Sequence, residues 1–179
     1  QDYKDLNKNN EVKTGGMGTI TMDNHSFPFL SSEDIEECHL LNRQVMLNIS
    51  RDCEYGYRGI LYGGFMKTKD GVKLIEYNAR FGDPEAINLL HILETSLVDI
   101  FKSIVRQDLN LLDIKFRNEY SVCKYVVPIH YPLSRPSNFN DVINFLDRRE
   151  SEKMILSSVI QETDGTYRMK GSRTLAVIK

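Results

Sequence analysis

From Ser31 onward the apolar residues Ile35, Cys38, Leu41, Val45 and Ile49 recur at helical spacing. The pattern predicts a helix running to about Ser50. Ser31 or Ser32 can cap it, and Glu33 and Asp34 place acidic groups in its first turn. The pattern then changes. Arg58 to Thr68 is rich in apolar and aromatic residues, Lys69-Asp70-Gly71 is a turn, and Val72 to Arg80 returns, which together predict a hairpin. Asp83 reads as an N-cap with Pro84 at the first helical position. The stripe Ile87, Leu90, Leu93, Leu97, Ile100, Phe101, Ile104 and Val105 then predicts one long helix ending near Gln107.

The flanks are less regular. Asp2 to Asn24 is a polar loop with a glycine-rich centre, Thr14-Gly15-Gly16-Met17-Gly18, and a short strand over Thr19 to Met22. Asp108 to Glu119 is a polar connection. Beyond it the pattern predicts a strand over Ser121 to Pro128, a loop over His130 to Asn140, a short helix over Val142 to Asp147, a strand over Met154 to Glu162, a turn at Thr163 to Thr166 and a strand over Arg173 to Ile178. The expected class is α+β, in two domains, residues 1–107 and residues 108–179.

Composition narrows the partners. The chain has 179 residues and a net charge of −2, so it can bury a core but lacks the basic excess of a nucleic-acid or anionic-membrane surface. No apolar run reaches membrane-spanning length, and nothing at the start resembles a signal peptide. Cys38, Cys53 and Cys123 are widely separated and odd in number. That pattern fits free thiols in a reducing, cytoplasmic setting better than a disulfide framework or a zinc site. Because the chain begins at Gln1 and ends on the apolar run Thr174 to Ile178, it is expected to be a piece of a longer protein.

The most specific chemistry lies in Ile75-Glu76-Tyr77-Asn78-Ala79-Arg80-Phe81-Gly82-Asp83-Pro84-Glu85. On a strand, Glu76, Asn78 and Arg80 share a face. A carboxylate and an amide oxygen are hard ligands suited to magnesium, which takes its remaining ligands from water and phosphate. Arg80 can fork onto a phosphate oxygen. An edge strand with a solvated polar face is the plainer reading, but asparagine in mid-strand is disfavoured. Gly82 to Glu85 makes a strand-to-helix turn. Glu85, with Asp83 as a second candidate, could bind a substrate ammonium there, while backbone N–H groups at the helix start could meet an anion.

The remaining candidates are less specific. Thr14 to Gly18 can be a hairpin tip or a loop that closely approaches a ligand; no Gly-Lys-Ser/Thr follows, so it is not a Walker loop. His25, His39, His91 and His130 share no metal-ligand spacing, and no serine or cysteine sits in a nucleophile context.

Taken in order, Gln1 to Lys4, Thr14-Gly15-Gly16-Met17-Gly18, Gly59-Ile60-Leu61-Tyr62-Gly63-Gly64-Phe65-Met66 and Glu76 to Glu85 resemble phosphoribosylamine–glycine ligase, also called glycinamide ribonucleotide synthetase, of the ATP-grasp superfamily. The resemblance is close through about Phe101. It continues more weakly in Tyr131-Pro132 and Gly171 to Val177. It implies the second half of an ATP-grasp core, an antiparallel sheet plus helices, followed by a small β-rich C-terminal domain. It also implies an ATP-dependent carbon–nitrogen ligase of purine biosynthesis: ATP phosphorylates glycine, and phosphoribosylamine attacks the glycyl phosphate. By position Glu76 and Asn78 would hold magnesium or manganese, and Arg80 would be catalytic, stabilising the transferring phosphoryl group. Asp83, Glu85 and the loop Gly15, Gly16, Met17 and Gly18 would bind substrate. Ala86 and Asn88 stand where the family has threonine and glutamine, and Gly171-Ser172 where it has two glycines; these departures bear on substrate contacts rather than on the metal pair.

The resemblance further implies that an N-terminal domain and a nucleotide-gripping lid precede Gln1, so this stretch alone is expected to be inactive. Two alternatives stand beside it: an ATP-grasp ligase for another acid and amine, and a non-catalytic remnant kept as a binding module.

Overall fold

The computed structural model describes residues 14–134, 136, 137, 139, 141–145 and 154–179. The chain is α+β, and among the described residues all strand pairs are antiparallel. It divides into two compact units: residues 1–21, 83–91 and 119–179 form one, residues 22–82 and 92–118 the other. No helix among the described residues is long and apolar enough to cross a membrane.

The first unit is built on a four-stranded sheet. Its strands β1 (Gly18–Thr21), β4 (Ser121–Val126), β6 (Met154–Leu156) and β9 (Leu175–Ile178) lie in the order β1-β4-β9-β6. Along β4 burial alternates strictly, with Ser121, Cys123 and Tyr125 inward, as the two-residue period of a pleated strand dictates. Cys123 and Tyr125 join Met17, Ala176 and Ile178 in a core to which Ile87, Val127 and Tyr131 are added. Within it Asn88, 2 % exposed, donates to Thr21 Oγ1 at 2.9 Å and to the Ser121 carbonyl at 3.2 Å, and accepts from Ser121 Oγ at 2.6 Å. This satisfies the buried amide on every side that the core offers. A second sheet, β5 (Val142–Ile143), β8 (Tyr167–Met169) and β7 (Val159–Gln161), runs in the order β5-β8-β7.

The second unit pairs a helix with a hairpin. Helix α1 (Ser32–Asp52) starts at Ser31, whose hydroxyl accepts from the Asp34 N–H while the Asp34 carboxylate accepts from the Ser31 N–H. This reciprocal capping box settles which serine caps. Strands β2 (Tyr62–Thr68) and β3 (Gly71–Asn78) form the expected hairpin around Lys69-Asp70.

Four elements differ from the sequence reading. The long helix is two: α2 (Glu85–Ile92) and α3 (Leu97–Arg106). Between them Leu93 bridges Phe116, the Ile92 carbonyl accepts from the Arg117 N–H, and Ser96 caps α3 through the Asp99 N–H. The apolar stripe hid a serine cap in mid-pattern. Helix α2 begins at Glu85 rather than after an Asp83 cap, and the Asp83–Pro84 peptide is cis. Val142-Ile143 is strand, not helix, in keeping with two adjacent β-branched residues. Met154 to Glu162 is interrupted at Ser157-Ser158 into β6 and β7, and β8 follows the turn as an additional strand. The segments Gln1 to Lys13 and residues 146–147 of the expected helix lie outside the described residues.

Candidate functional site

The sequence candidates fall into two groups, one in each unit. In the second unit, Glu76 and Asn78 lie near the end of β3, opposite Gly64 and Tyr62. The register steps between Gly64 and Phe65, which leaves Ile75 as the extra residue of a bulge. Tyr77, between the two candidates, faces α1 and donates to Asn42 Oδ1 at 2.9 Å. Its neighbours on either side therefore face away from the helix. The hairpin is tied to α1 at two further points: Lys67 pairs with the buried Asp34, and the Val72 N–H donates to Glu37 Oε2 at 3.2 Å. The Lys67 ammonium first, and then the Ser31 N–H, hold the Asp34 carboxyl below its ordinary 3.8. Glycine at position 63 is a matter of space, since a Cβ there would lie 2.7 Å from the Phe65 ring and 3.1 Å from Asn42 Oδ1.

On the outward side, Asn78 Nδ2 donates to Glu76 Oε1 at 3.1 Å. The carboxylate and the amide are thus adjacent, and they present the oxygen donors that a hard divalent cation requires. Among the described residues no cluster of three or more His, Cys, Asp or Glu side chains converges. Strand β3 stops at Asn78, so Arg80 lies beyond the strand on which it was expected. It is exposed, and its Nη1 donates to the Phe81 carbonyl at 2.8 Å.

The first unit gathers Gly15, Gly16, Met17, Gly18, Asp83 and Glu85 around residues that sequence reasoning gave no role. Arg173 Nη1 donates to the Gly16 carbonyl and to the Asp83 carbonyl, each at 2.8 Å, and Nη2 donates to Asp83 Oδ2 at 2.7 Å. Tyr125 donates its hydroxyl to Asp83 Oδ1 at 2.6 Å, and the Arg173 guanidinium lies 4.8 Å from the centre of its ring. Tyr131 Oη accepts from the Gly15 N–H at 3.1 Å, and the Tyr125 N–H donates to the Met17 carbonyl. A Cβ on Gly15 would stand 3.1 Å from Arg173 Cζ. The close approach that the glycine permits here is to a side chain of the same protein.

The acidic surroundings register on nearby groups. Burial, and then the hydrogen bond to Asp83, push the Tyr125 hydroxyl up to about 12. Burial, and then the Asp83 and Glu85 charges, push the Cys123 thiol up to about 11. Glu85 opens α2, where the helix N-terminus favours a negative charge. Asp83 does not cap that helix, since Tyr125 and Arg173 engage both of its carboxylate oxygens. Arg173, Tyr125 and Tyr131 carry no local signal of this kind; only their neighbourhood, Gly171 to Val177 and Tyr131-Pro132, stands out in the sequence.

Comparison with known proteins agrees across methods. Residues 1–86 match the family described as phosphoribosylglycinamide synthetase, ATP-grasp (A) domain. The chain is 40% identical over 179 residues to the phosphoribosylamine–glycine ligase of Methanococcus vannielii, covering 99% of this chain and 40% of that one. It is 44% identical over 166 residues to the Pyrococcus furiosus protein of the same name, covering 92% of this chain and 36% of that one. Among solved structures, the phosphoribosylamine–glycine ligase of Thermotoga maritima superposes with a TM-score of 0.73 at 24% identity, over 99% of this chain and 42% of that one. The chain spans about two fifths of the length of these relatives.

Proposed function

We propose that the chain is part of a phosphoribosylamine–glycine ligase, as its likeness to that family supports, and that the whole protein is an ATP-dependent ligase joining glycine to 5-phosphoribosylamine. A glycine carboxylate oxygen attacks the γ-phosphorus of ATP, and ADP leaves. The amine of phosphoribosylamine then attacks the glycyl carbonyl carbon. Phosphate leaves, the amine gives up a proton, and glycinamide ribonucleotide results. Both nucleophiles belong to substrates, so no side chain of the protein needs to form a covalent bond.

The observation that carries this reading is the adjacency of the Glu76 carboxylate and the Asn78 amide on the outward side of β3. They would hold magnesium, or manganese in its place, which when bound neutralises charge on the ATP phosphates. Arg80 offers its guanidinium to the transferring phosphoryl group. Asp83 and Glu85 provide the acidic side toward substrate, and the loop from Gly15 to Gly18 closes the reacting groups from water.

The test uses the full-length protein with ATP, magnesium, glycine and phosphoribosylamine. ADP formation is expected to require glycine, and its sustained turnover to require phosphoribosylamine as well; ADP release indifferent to glycine would reject the assignment. Arg80→Ala is expected to lower kcat on the order of 10³-fold with ATP binding retained. Glu76→Gln is expected to weaken magnesium-nucleotide binding, read by titration calorimetry.

A further inference from the structure

We propose that Arg173 is a positioning residue that locks the Gly15–Gly16 loop to Asp83 and thereby sets the loop's placement in the reaction. The inference rests on the ligase reading for its catalytic consequence, and on geometry alone for the lock itself. The guanidinium makes three hydrogen bonds to two separate stretches, one to the Gly16 carbonyl and two to Asp83. Its side chain is 19% exposed, lies against the Tyr125 ring, and occupies the space next to Gly15 that a Cβ would claim. Tyr125 holds the other Asp83 oxygen, so the carboxylate is oriented from both sides.

Only arginine fits these demands. Its planar fork supplies several fixed donors at once, whereas a lysine ammonium is a single point on a flexible stem. The two backbone carbonyls and the carboxylate that Arg173 serves lie 157 and 90 positions away in the chain. Nothing local to Gly15 or Asp83 replaces it. A loop released from this bond would keep its ties from Gly15 to Tyr131 and from Met17 to Tyr125 but lose the one that fixes Gly16 against Asp83, and positioning errors of that kind are costly in catalysis.

The experiment is a double-mutant cycle in the full-length protein: Arg173→Ala, Gly15→Ala and the pair, with Arg173→Lys as a milder variant. Each single change is expected to lower kcat/KM by about 10- to 100-fold, the usual scale for groups that orient others. In the pair, the Gly15 methyl falls into space that the guanidinium has left, so Gly15→Ala should add less than twofold to Arg173→Ala. Guanidinium ion added to Arg173→Ala should restore part of the activity. Hydrogen exchange supplies a readout that needs no substrate: amides 15–18 should exchange at least tenfold faster in Arg173→Lys, with those of α1 unchanged. Independent, multiplying losses in the pair, or unchanged exchange of the loop, would overturn the proposal. A protein whose ADP formation ignores glycine, but whose loop loosens in Arg173→Lys, would sink the ligase reading and keep the lock.

Discussion

The hairpin with Glu76 and Asn78 and the corner around Asp83 are held in different ways. The hairpin is tied to α1 by Lys67–Asp34, Val72–Glu37 and Tyr77–Asn42, contacts that span 33 or 35 positions. Its candidate side chains project from the face opposite Tyr77, with Glu76 exposed. The corner is closed by contacts spanning 42, 90, 116 and 157 positions, and the groups that close it include a candidate site residue, Asp83. In the hairpin, support and chemistry are separate. In the corner they share atoms, so that removing the support would also disturb the chemistry proposed for Asp83. The hairpin should therefore tolerate loss of an anchor better than the corner tolerates loss of a partner.

The contrast can be tested from its largest effect downward. Cys123 lies at 0% exposure in the core beneath the corner, with its thiol pushed up to about 11 by burial and then by the Asp83 and Glu85 charges. At pH 8 roughly one molecule in a thousand carries the thiolate. Iodoacetamide followed by mass spectrometry should modify the exposed Cys53 and leave Cys123 intact. Equal rates at the two positions would show the corner to be open and remove the contrast.

Asn88→Ala comes next. It strands the Ser121 hydroxyl and carbonyl and leaves a cavity, and should cost about 2–3 kcal/mol in urea unfolding. A value below about 1 kcal/mol would mean that the core under the corner repacks freely.

The smallest effect belongs to the hairpin's support. Ser31→Ala removes one half of the capping box and should cost about 1 kcal/mol, with ATP-dependent activity of the full-length protein nearly unchanged. The same support carries a pH signature. The Asp34 carboxyl titrates below 3.8 in the folded chain because of Lys67 and then Ser31. Its contribution is complete above the unfolded carboxylate value and is lost as pH falls through the folded one. Protection factors at the α1–β3 contacts, which divide out the intrinsic pH dependence of amide exchange, should fall below about pH 4 and stay flat above about pH 5. A fall in protection between pH 5 and 7 would assign the support to another group.

Much of the second unit was legible residue by residue. Apolar and aromatic residues marked the first strand, Lys69-Asp70-Gly71 marked the turn back into the second, and a serine at 31 or 32 followed by acidic residues marked the helix start, because these features are made within a few residues of the chain. The break at Ser96 was missed since an apolar stripe of period 3.6 continues across two helices as readily as along one. The first unit was less legible. The glycine run and the acidic turn were visible as motifs, but their shared partner was not, because a single arginine before a strand looks like any surface charge.

The order of residues alone determined the α+β class, helix α1 and the hairpin as separate elements, and the shared face of Glu76 and Asn78, for these depend on periodicity and on neighbours in the chain. The tertiary structure alone decided that a Cβ at Gly15 would crowd the Arg173 guanidinium, that Asp83 answers to Arg173 and Tyr125 instead of capping a helix, and that Cys123 is silent. Those outcomes depend on which distant groups meet, and a side chain's hydrogen-bonding capacity says what it can bind without saying what the fold will bring to it.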